Sequence, residues 1–260
     1  MKKIEFKDWN KLLSYLEKER EFNLFIIGDI KNTLEEMPEV EIFIDGTIQN
    51  PKGVLLRYFG FFILYSSENM NFEEAANIVK DYGKTRVLSG KLEVVDKIKP
   101  YLSDYLEKEV NSHFAVLKNL SVNENKHEIK RVTLEESHKV SDLLDTISEF
   151  GERDNEVYRE GLKNGSARSY YLEQDGKTVA TASTSAEIDD MAMVVAVATD
   201  KDYRKKGYAT EVVSKMCSDL IDEGKTACLF YDNPEAGKIY NRIGFKEFGK
   251  WKMLRFKSKV

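Results

Sequence analysis

Met191-Ala-Met-Val-Val-Ala-Val-Ala198 is an eight-residue apolar run that leads through Thr199, Asp-Lys-Asp-Tyr and Arg204-Lys-Lys-Gly207 into a long amphipathic segment. A run without alternation reads as a strand buried on both faces, the centre of a sheet covered by helices. Beyond it, Val212, Val213, Met216, Cys217, Leu220 and Ile221 recur at helical spacing over Ala209–Glu223. Gly224 then supplies the left-handed residue that ends a helix. A buried strand feeding a helix through a short loop points to an α/β fold for this part of the chain. The same run is too short for a membrane. Together with Tyr58–Tyr65 it is the longest apolar stretch, whereas a spanning helix needs about 18 to 20 such residues.

Composition narrows the class. Forty Lys and Arg stand against 45 Asp and Glu, a net charge of −5, where a nucleic-acid binder carries a clearly basic domain. With 42% hydrophobic and 11% aromatic residues the chain can bury a sizeable core rather than stay disordered. The start, Met1-Lys-Lys-Ile-Glu-Phe-Lys-Asp, offers no apolar leader. A cytoplasmic location is expected, with no nucleic-acid or membrane partner. Cys217 and Cys228 are too few for a disulfide framework, and His113, His127 and His138 lie near neither in sequence. The thiols read as reduced core residues, and no metal is expected.

A length of 260 residues suits two small domains. The polar, turn-prone segment Asn119–Glu128 reads as a linker between residues 1–118 and 129–260. The two halves repeat one pattern. In the first, a helix over Glu73–Tyr82 ends at Gly83 and a short strand follows at Arg86–Leu88. In the second, the Ala209–Glu223 helix ends at Gly224 and a strand follows at Ala227–Tyr231. Each half closes on a β-like segment, Phe114–Leu117 and Trp251–Phe256. A tandem pair of similar α/β domains is expected, although generic helix and strand punctuation would look alike. Gly83, Gly176 and Gly224 each begin a Gly-Lys-Thr triplet, but a nucleotide loop needs a second glycine five residues earlier. Ile78, Tyr171 and Asp219 stand there instead. Gly83 and Gly224 are helix stops, and Asp175-Gly176 is a hairpin turn.

The loop after the apolar run carries the chemistry. Backbone N–H groups at a helix N-terminus are unpaired and carry partial positive charge, so this junction attracts phosphate. Arg204, Lys205 and Lys206 add charge, and Gly207 would let an anion approach the main chain. A merely basic turn before a helix would read the same way. Downstream stands Asn233-Pro-Glu-Ala236-Gly-Lys-Ile-Tyr240-Asn-Arg-Ile-Gly244-Phe245. This segment resembles a signature of the GNAT acyltransferase superfamily, Asn-x-x-Ala-x-x-x-Tyr-x-x-x-Gly-Phe, at every fixed position. Arg204-x-x-Gly207-x-Ala209 is similar to the superfamily's pyrophosphate motif, in the same strand–loop–helix setting. The likeness covers Ile129 to the C-terminus.

The resemblance implies a GNAT-like acetyltransferase fold in the C-terminal half and acetyl-CoA as acyl donor. It implies that Val197, Ala198 and Thr199 pair with the pantetheine arm, and that Arg204, Lys205, Lys206, Gly207, Tyr208, Ala209 and Thr210 hold the pyrophosphate. Asn233 would contact the pantetheine or departing thiol, and Tyr240 would be the acid that protonates the thiolate. Simpler roles exist for each. Asn233-Pro234 is also a helix cap followed by proline at the first helical position. Tyr240 fits a core face, and Lys205 and Lys206 fit a solvated turn. The acceptor is expected to be an amine, a small molecule or a peptide, attacked directly with no covalent enzyme intermediate.

One departure stands out: Met191–Ala198 has no acidic residue where members with a carboxylate base often carry one. Glu187, Asp189, Glu149 and Glu152 remain as candidates. The first half reads as a degenerate copy, since Ser66-Ser-Glu-Asn-Met-Asn71 before its helix lacks glycine and positive charge. A non-catalytic acyl-CoA-binding sensor or scaffold, and a purely structural interaction protein, are the rival readings.

Overall fold

The computed structural model describes residues 1–33, 37–121, 126–150 and 155–257. The first half runs β1 (Lys2–Ile4), α1 (Leu13–Leu16), α2 (Leu24–Asn32), β2 (Val40–Thr47), β3 (Asn50–Tyr58), β4 (Phe61–Ser66), α3 (Phe72–Asp81), β5 (Val87–Lys91), α4 (Leu92–Ile98) and β6 (Leu106–Leu117). The second runs β7 (Ile129–Arg131), α5 (Ser137–Asp145), α6 (Asn155–Asn164), β8 (Ser169–Gln174), β9 (Lys177–Ser185) and β10 (Met191–Thr199). It continues through α7 (Tyr208–Asp222), β11 (Thr226–Tyr231), α8 (Pro234–Ile243) and β12 (Lys246–Phe256).

Two compact units result: Met1–His113 with Gly249–Val260, and Phe114–Phe248. In the first, β1, β2, β3 and β4 are antiparallel neighbours, and α3 crosses over so that β5 lies parallel to β4. In the second, β7, β8, β9 and β10 are antiparallel, and α7 crosses over so that β11 lies parallel to β10. The same topology is built twice.

The closing strands are exchanged, so the units differ from the halves 1–118 and 129–260. β12, expected in the second half, pairs antiparallel with β5, from Trp251↔Lys91 to Arg255↔Val87. Its Leu254 and Phe256 join Phe62, Leu88, Val79 and Val95 in the first unit's core. The end of β6 instead belongs to the second unit, where β6 neighbours β11. Hydrophobic alternation fixes which face of a closing strand is buried, not which sheet edge receives it. The described ends of the expected linker, 119–121 and 126–128, also belong to the second unit. Ser121 donates its N–H to Ile243 O at 2.8 Å, and residues 122–125 lie outside the described set.

Local signals explain the elements that frame the site. Val212, Val213, Met216, Cys217 and Leu220 make α7 the buried helix of the second unit, against Ala182, Ala192, Val194 and Leu229. The helix ends in a Schellman motif: Gly224, at φ 77°, donates to Ile221 O at 2.9 Å and Lys225 donates to Leu220 O at 2.8 Å. Asp175 and Gly176, at φ 51° and 76°, form the tight turn between β8 and β9. The apolar run Tyr58–Tyr65 is not one strand but a hairpin, turned at Phe59 and Gly60 between β3 and β4. On the other face of the second sheet, α5 packs Val140, Leu143 and Leu144 against Tyr171 and Ala198. Among the described residues no helix is long and apolar enough to cross a membrane.

Candidate active site

In the second unit the pairing of the two parallel strands stops before their carboxyl ends. β10 pairs with β11 only from Met191↔Thr226 to Val194↔Leu229. Beyond that point it carries a β-bulge. Val195 opposes Ser183 and Ala198 opposes Thr181, so two residues face one. Ala196 takes φ 50°, a conformation uncommon for a residue with a Cβ. The side chains of Val195, Ala196 and Val197 are half-buried, whereas Met191–Val194 are buried. The bulge takes backbone groups out of the ladder where the parallel strand no longer covers them. Val197 packs on the same large core cluster to which Tyr208 and Tyr240 belong.

The loop leaving β10 is built to present main-chain donors. Asp200 accepts the N–H of Asp202 at 2.9 Å and pairs with Lys177 at 2.7 Å, which pins the turn. Lys205 and Gly207 sit at φ 64° and 91°, and Gly207 is the N-cap of α7 with no side chain satisfying the helix N–H groups. Such a concave main-chain turn before an uncapped helix is an anion-binding arrangement. A Cβ built on Gly207 meets nothing within 4 Å, so its backbone conformation, not crowding, requires glycine. Arg204, Lys205 and Lys206 are exposed. Arg204 folds back to donate to Thr199 O at 3.3 Å, and the Lys206 ammonium lies 4.6 Å from the Tyr203 ring centroid. Tyr208 turns its ring into the core, and Ala209 and Thr210 are half-buried in the first turn, so these three offer backbone N–H groups.

Glu211, next in the turn, is a feature the sequence did not reveal. Its carboxylate accepts the N–H groups of Lys126 and His127 at 2.9 and 3.0 Å, and the His127 ring nitrogen lies 3.1 Å from both oxygens. His127 also meets Tyr208 edge-on at 5.1 Å. Lys126 and His127 are thereby held against the first turn of α7.

α8 begins where β11 ends, on the same carboxyl edge. The Asn233 side chain is exposed and caps the helix, accepting Glu235 N–H at 2.9 Å with Pro234 at the first helical position. The cap occupies the side-chain oxygen. Tyr240 is 8% exposed, between Tyr231 and Phe245 at ring distances of 5.7 and 5.8 Å. Burial pushes its phenol up to about 12, so it is protonated at neutral pH. Cys217 and Cys228 are buried, and burial raises the Cys217 thiol, which suits core packing and not nucleophilic attack.

Two of the candidate bases, Glu187 and Asp189, lie at the other end of β10 from this edge. Glu187 sits before β10, at the opposite end of the strand from the bulge. It is locked to Arg168 and Lys225 and accepts Thr184 Oγ at 3.0 Å. Burial raises its carboxyl, yet the Arg168 and Lys225 hydrogen bonds and charges outweigh this and hold it below the usual range. Asp189 is exposed beside it at that same end. Glu149 is exposed after α5, its Oε2 accepting Ser148 Oγ at 3.3 Å. Glu152 lies outside the described residues.

The first unit's counterpart lacks every one of these devices. β4 pairs with β3 without a register shift, from Gly53↔Ser66 to Tyr58↔Phe61. Asn71 caps α3 by accepting Glu74 N–H at 3.1 Å, and Glu73 and Glu74 occupy the first turn. The Asn71 side chain thus takes up one of the helix N–H groups, whereas α7 has no side-chain cap at its start.

A family model for GNAT acetyltransferases matches residues 34–254, so the chain belongs to the GNAT acetyltransferase family. Solved structures with this fold include a GCN5-related N-acetyltransferase from Kribbella flavida, with a TM-score of 0.62 and 15% identity over 83% of this chain and 88% of that one. A Drosophila protein aligns at TM-score 0.72 and 12% identity over 99% and 98%. A tandem GNAT protein from the clavulanic acid biosynthesis pathway aligns at TM-score 0.61 and 9% identity over 97% and 96%. At these identities the likeness is one of fold. No curated protein sequence matches the chain.

Proposed function

We propose that the protein is an acetyl-CoA-dependent N-acetyltransferase whose single donor site lies in the second unit and whose acceptor is a primary amine. The observation that carries the reading is one arrangement: the bulge at Ala196 beside the uncapped start of α7. Main-chain N–H groups of the Arg204–Thr210 turn would hold the pyrophosphate of the donor, and the freed backbone of Val197–Thr199 would align its pantetheine arm. N–H groups at the bulge would polarise the thioester carbonyl, which lowers the barrier to direct attack. The first unit, with a capped and acidic helix start, would serve as structural support.

Tyr240 is the group suited to the departing thiolate. A phenol raised to about 12 is a weaker acid than a thiol near 8.5, so its main service is a hydrogen bond to developing charge, with proton transfer following departure. The test is thiol release from acetyl-CoA with a panel of primary amines. Tyr240→Phe should lower kcat about a hundredfold while donor affinity stays within twofold. Equal turnover in both proteins would remove Tyr240 from the chemistry. A non-catalytic acyl-CoA sensor is favoured by one observation, the absence of a strand carboxylate, and tight donor binding without turnover on any amine would establish it.

A further inference from the structure

The first unit holds a cavity at the place that corresponds to the donor turn of the second, since β4, α3 and β5 repeat β10, α7 and β11. Parallel pairing of β4 with β5 runs from Phe61↔Val87 to Leu64↔Gly90, while β4 continues to Ser66 and β5 to Lys91. Outside those carboxyl ends lies a cavity of about 450 Å³, walled by Glu19, the loop from Ser66 to Asn69, the start of α3 and one face of α4. Ligands of α/β sheets gather outside the carboxyl ends of the strands, and this volume suits a small molecule. The loop wall is fixed in advance. Ser66 Oγ donates to Lys52 O at 2.9 Å and also to Glu68 O, and Ser67 N–H donates to Tyr15 Oη at 3.2 Å. A wall ordered before binding costs a ligand less entropy.

The charges on the lining define what fits. Lys91 and Glu19 satisfy each other at 2.5 Å, both half-buried. Glu68, Glu93 and Lys97 are exposed and make no ion pair among the described residues. Lys97 instead stands 5.7 Å from the Phe72 ring centroid. Phe72 and Val94, 8% and 6% exposed, give the cavity an apolar wall. Two open carboxylates against one open ammonium call for a molecule with two cationic groups, one carboxylate and a short apolar stem. We infer that this cavity binds an α-amino acid with a cationic side chain. Its two cationic groups face Glu68 and Glu93, its carboxylate faces Lys97, and its methylenes lie on Phe72 and Val94. The balance is the reverse of the donor turn, which offers Arg204, Lys205 and Lys206. No residue of the donor site takes part, so the site is independent of the acetyltransferase reading and gives the first unit a role beyond support.

Calorimetric titration of the whole protein with L-lysine tests the site, with L-arginine, L-norleucine and cadaverine alongside. Norleucine lacks the side-chain ammonium, and cadaverine lacks the carboxylate. The expected result is one lysine bound per chain, with norleucine and cadaverine each weaker by about tenfold or more. Glu93→Gln and Lys97→Met each remove one charge at an exposed position on α4, where the fold does not depend on it. Each should weaken lysine binding by about tenfold or more, with the urea unfolding midpoint unchanged. Acetyl-CoA titrated into the same two variants should bind as it does to wild type. Failure of both lysine and arginine to bind would overturn the inference. So would norleucine or cadaverine binding as well as lysine, since the charge count would then be irrelevant. Lysine binding that survives both substitutions would place the amino acid elsewhere on the protein and overturn it equally.

Discussion

Glu187→Gln separates a structural carboxylate from a catalytic one. The Glu187 side chain is 2% exposed and its main partner Arg168 6%. Its two oxygens take Arg168, Lys225 at 2.6 Å, and Thr184 at 3.0 Å. Glutamine keeps the shape but turns an amide N–H₂ toward donors, and leaves the guanidinium short of one counter-charge. Removing one partner of a buried ion pair costs about 3–5 kcal/mol. Arg168 keeps Glu223, at 2.6 and 2.7 Å, and Lys225 keeps Glu223 at 3.4 Å, which favours the lower end. Urea unfolding should therefore show a loss of about 3 kcal/mol. Acetyl-CoA affinity and thiol release at a temperature where the variant is folded should stay within twofold, because Glu187 lies at the other end of β10. A stability change below about 1 kcal/mol, or a collapse of turnover with stability intact, would refute this assignment.

The same cluster sets an acid limit, and Gly207 offers a second check. Arg168 holds the Glu223 carboxyl down to about 2, and Glu187 is also held below its ordinary value. Both carboxyls are depressed on folding, so their stabilisation is complete above about pH 5 and is lost as pH falls toward about 2. Thermal unfolding of wild type should fall over that window, and Glu187→Gln should flatten the fall. At Gly207, φ is 91° and the space around a Cβ is open. Gly207→Ala should cost about 1–2 kcal/mol in urea unfolding yet bind acetyl-CoA within a few-fold of wild type. Gly207→Glu should lose donor affinity more than about tenfold, because it adds negative charge at the anion site. Equal binding losses in both would mean that backbone strain, not charge, controls the site.

The chain's organisation was legible where local patterns dictate local structure. The unalternating run, the amphipathic helix and Gly224 announced β10–α7–β11, and Asn233 to Phe245 announced α8. What stayed hidden depends on pairing and position in space. The run Met191–Ala198 has no alternation, so it carries no register and concealed the bulge at Ala196. The exchange of β6 and β12 could not be read, because a closing strand looks the same whichever edge it joins. Glu211 and His127 are 84 residues apart in sequence, and nothing local pairs them. Glu187 invited a catalytic reading by its nearness to β10 in sequence, yet antiparallel geometry puts it at the wrong end.

The central claim is one donor site per chain, in the second unit. Calorimetric titration of the whole protein with acetyl-CoA, with ATP and free CoA as controls and Gly207→Glu alongside, tests it most directly. The account predicts one molecule bound per chain, competition by CoA and not by ATP, and loss of that binding in Gly207→Glu. Two molecules per chain would restore a site to the first unit, and no binding at all would leave the bulge and the open helix start without a donor to hold.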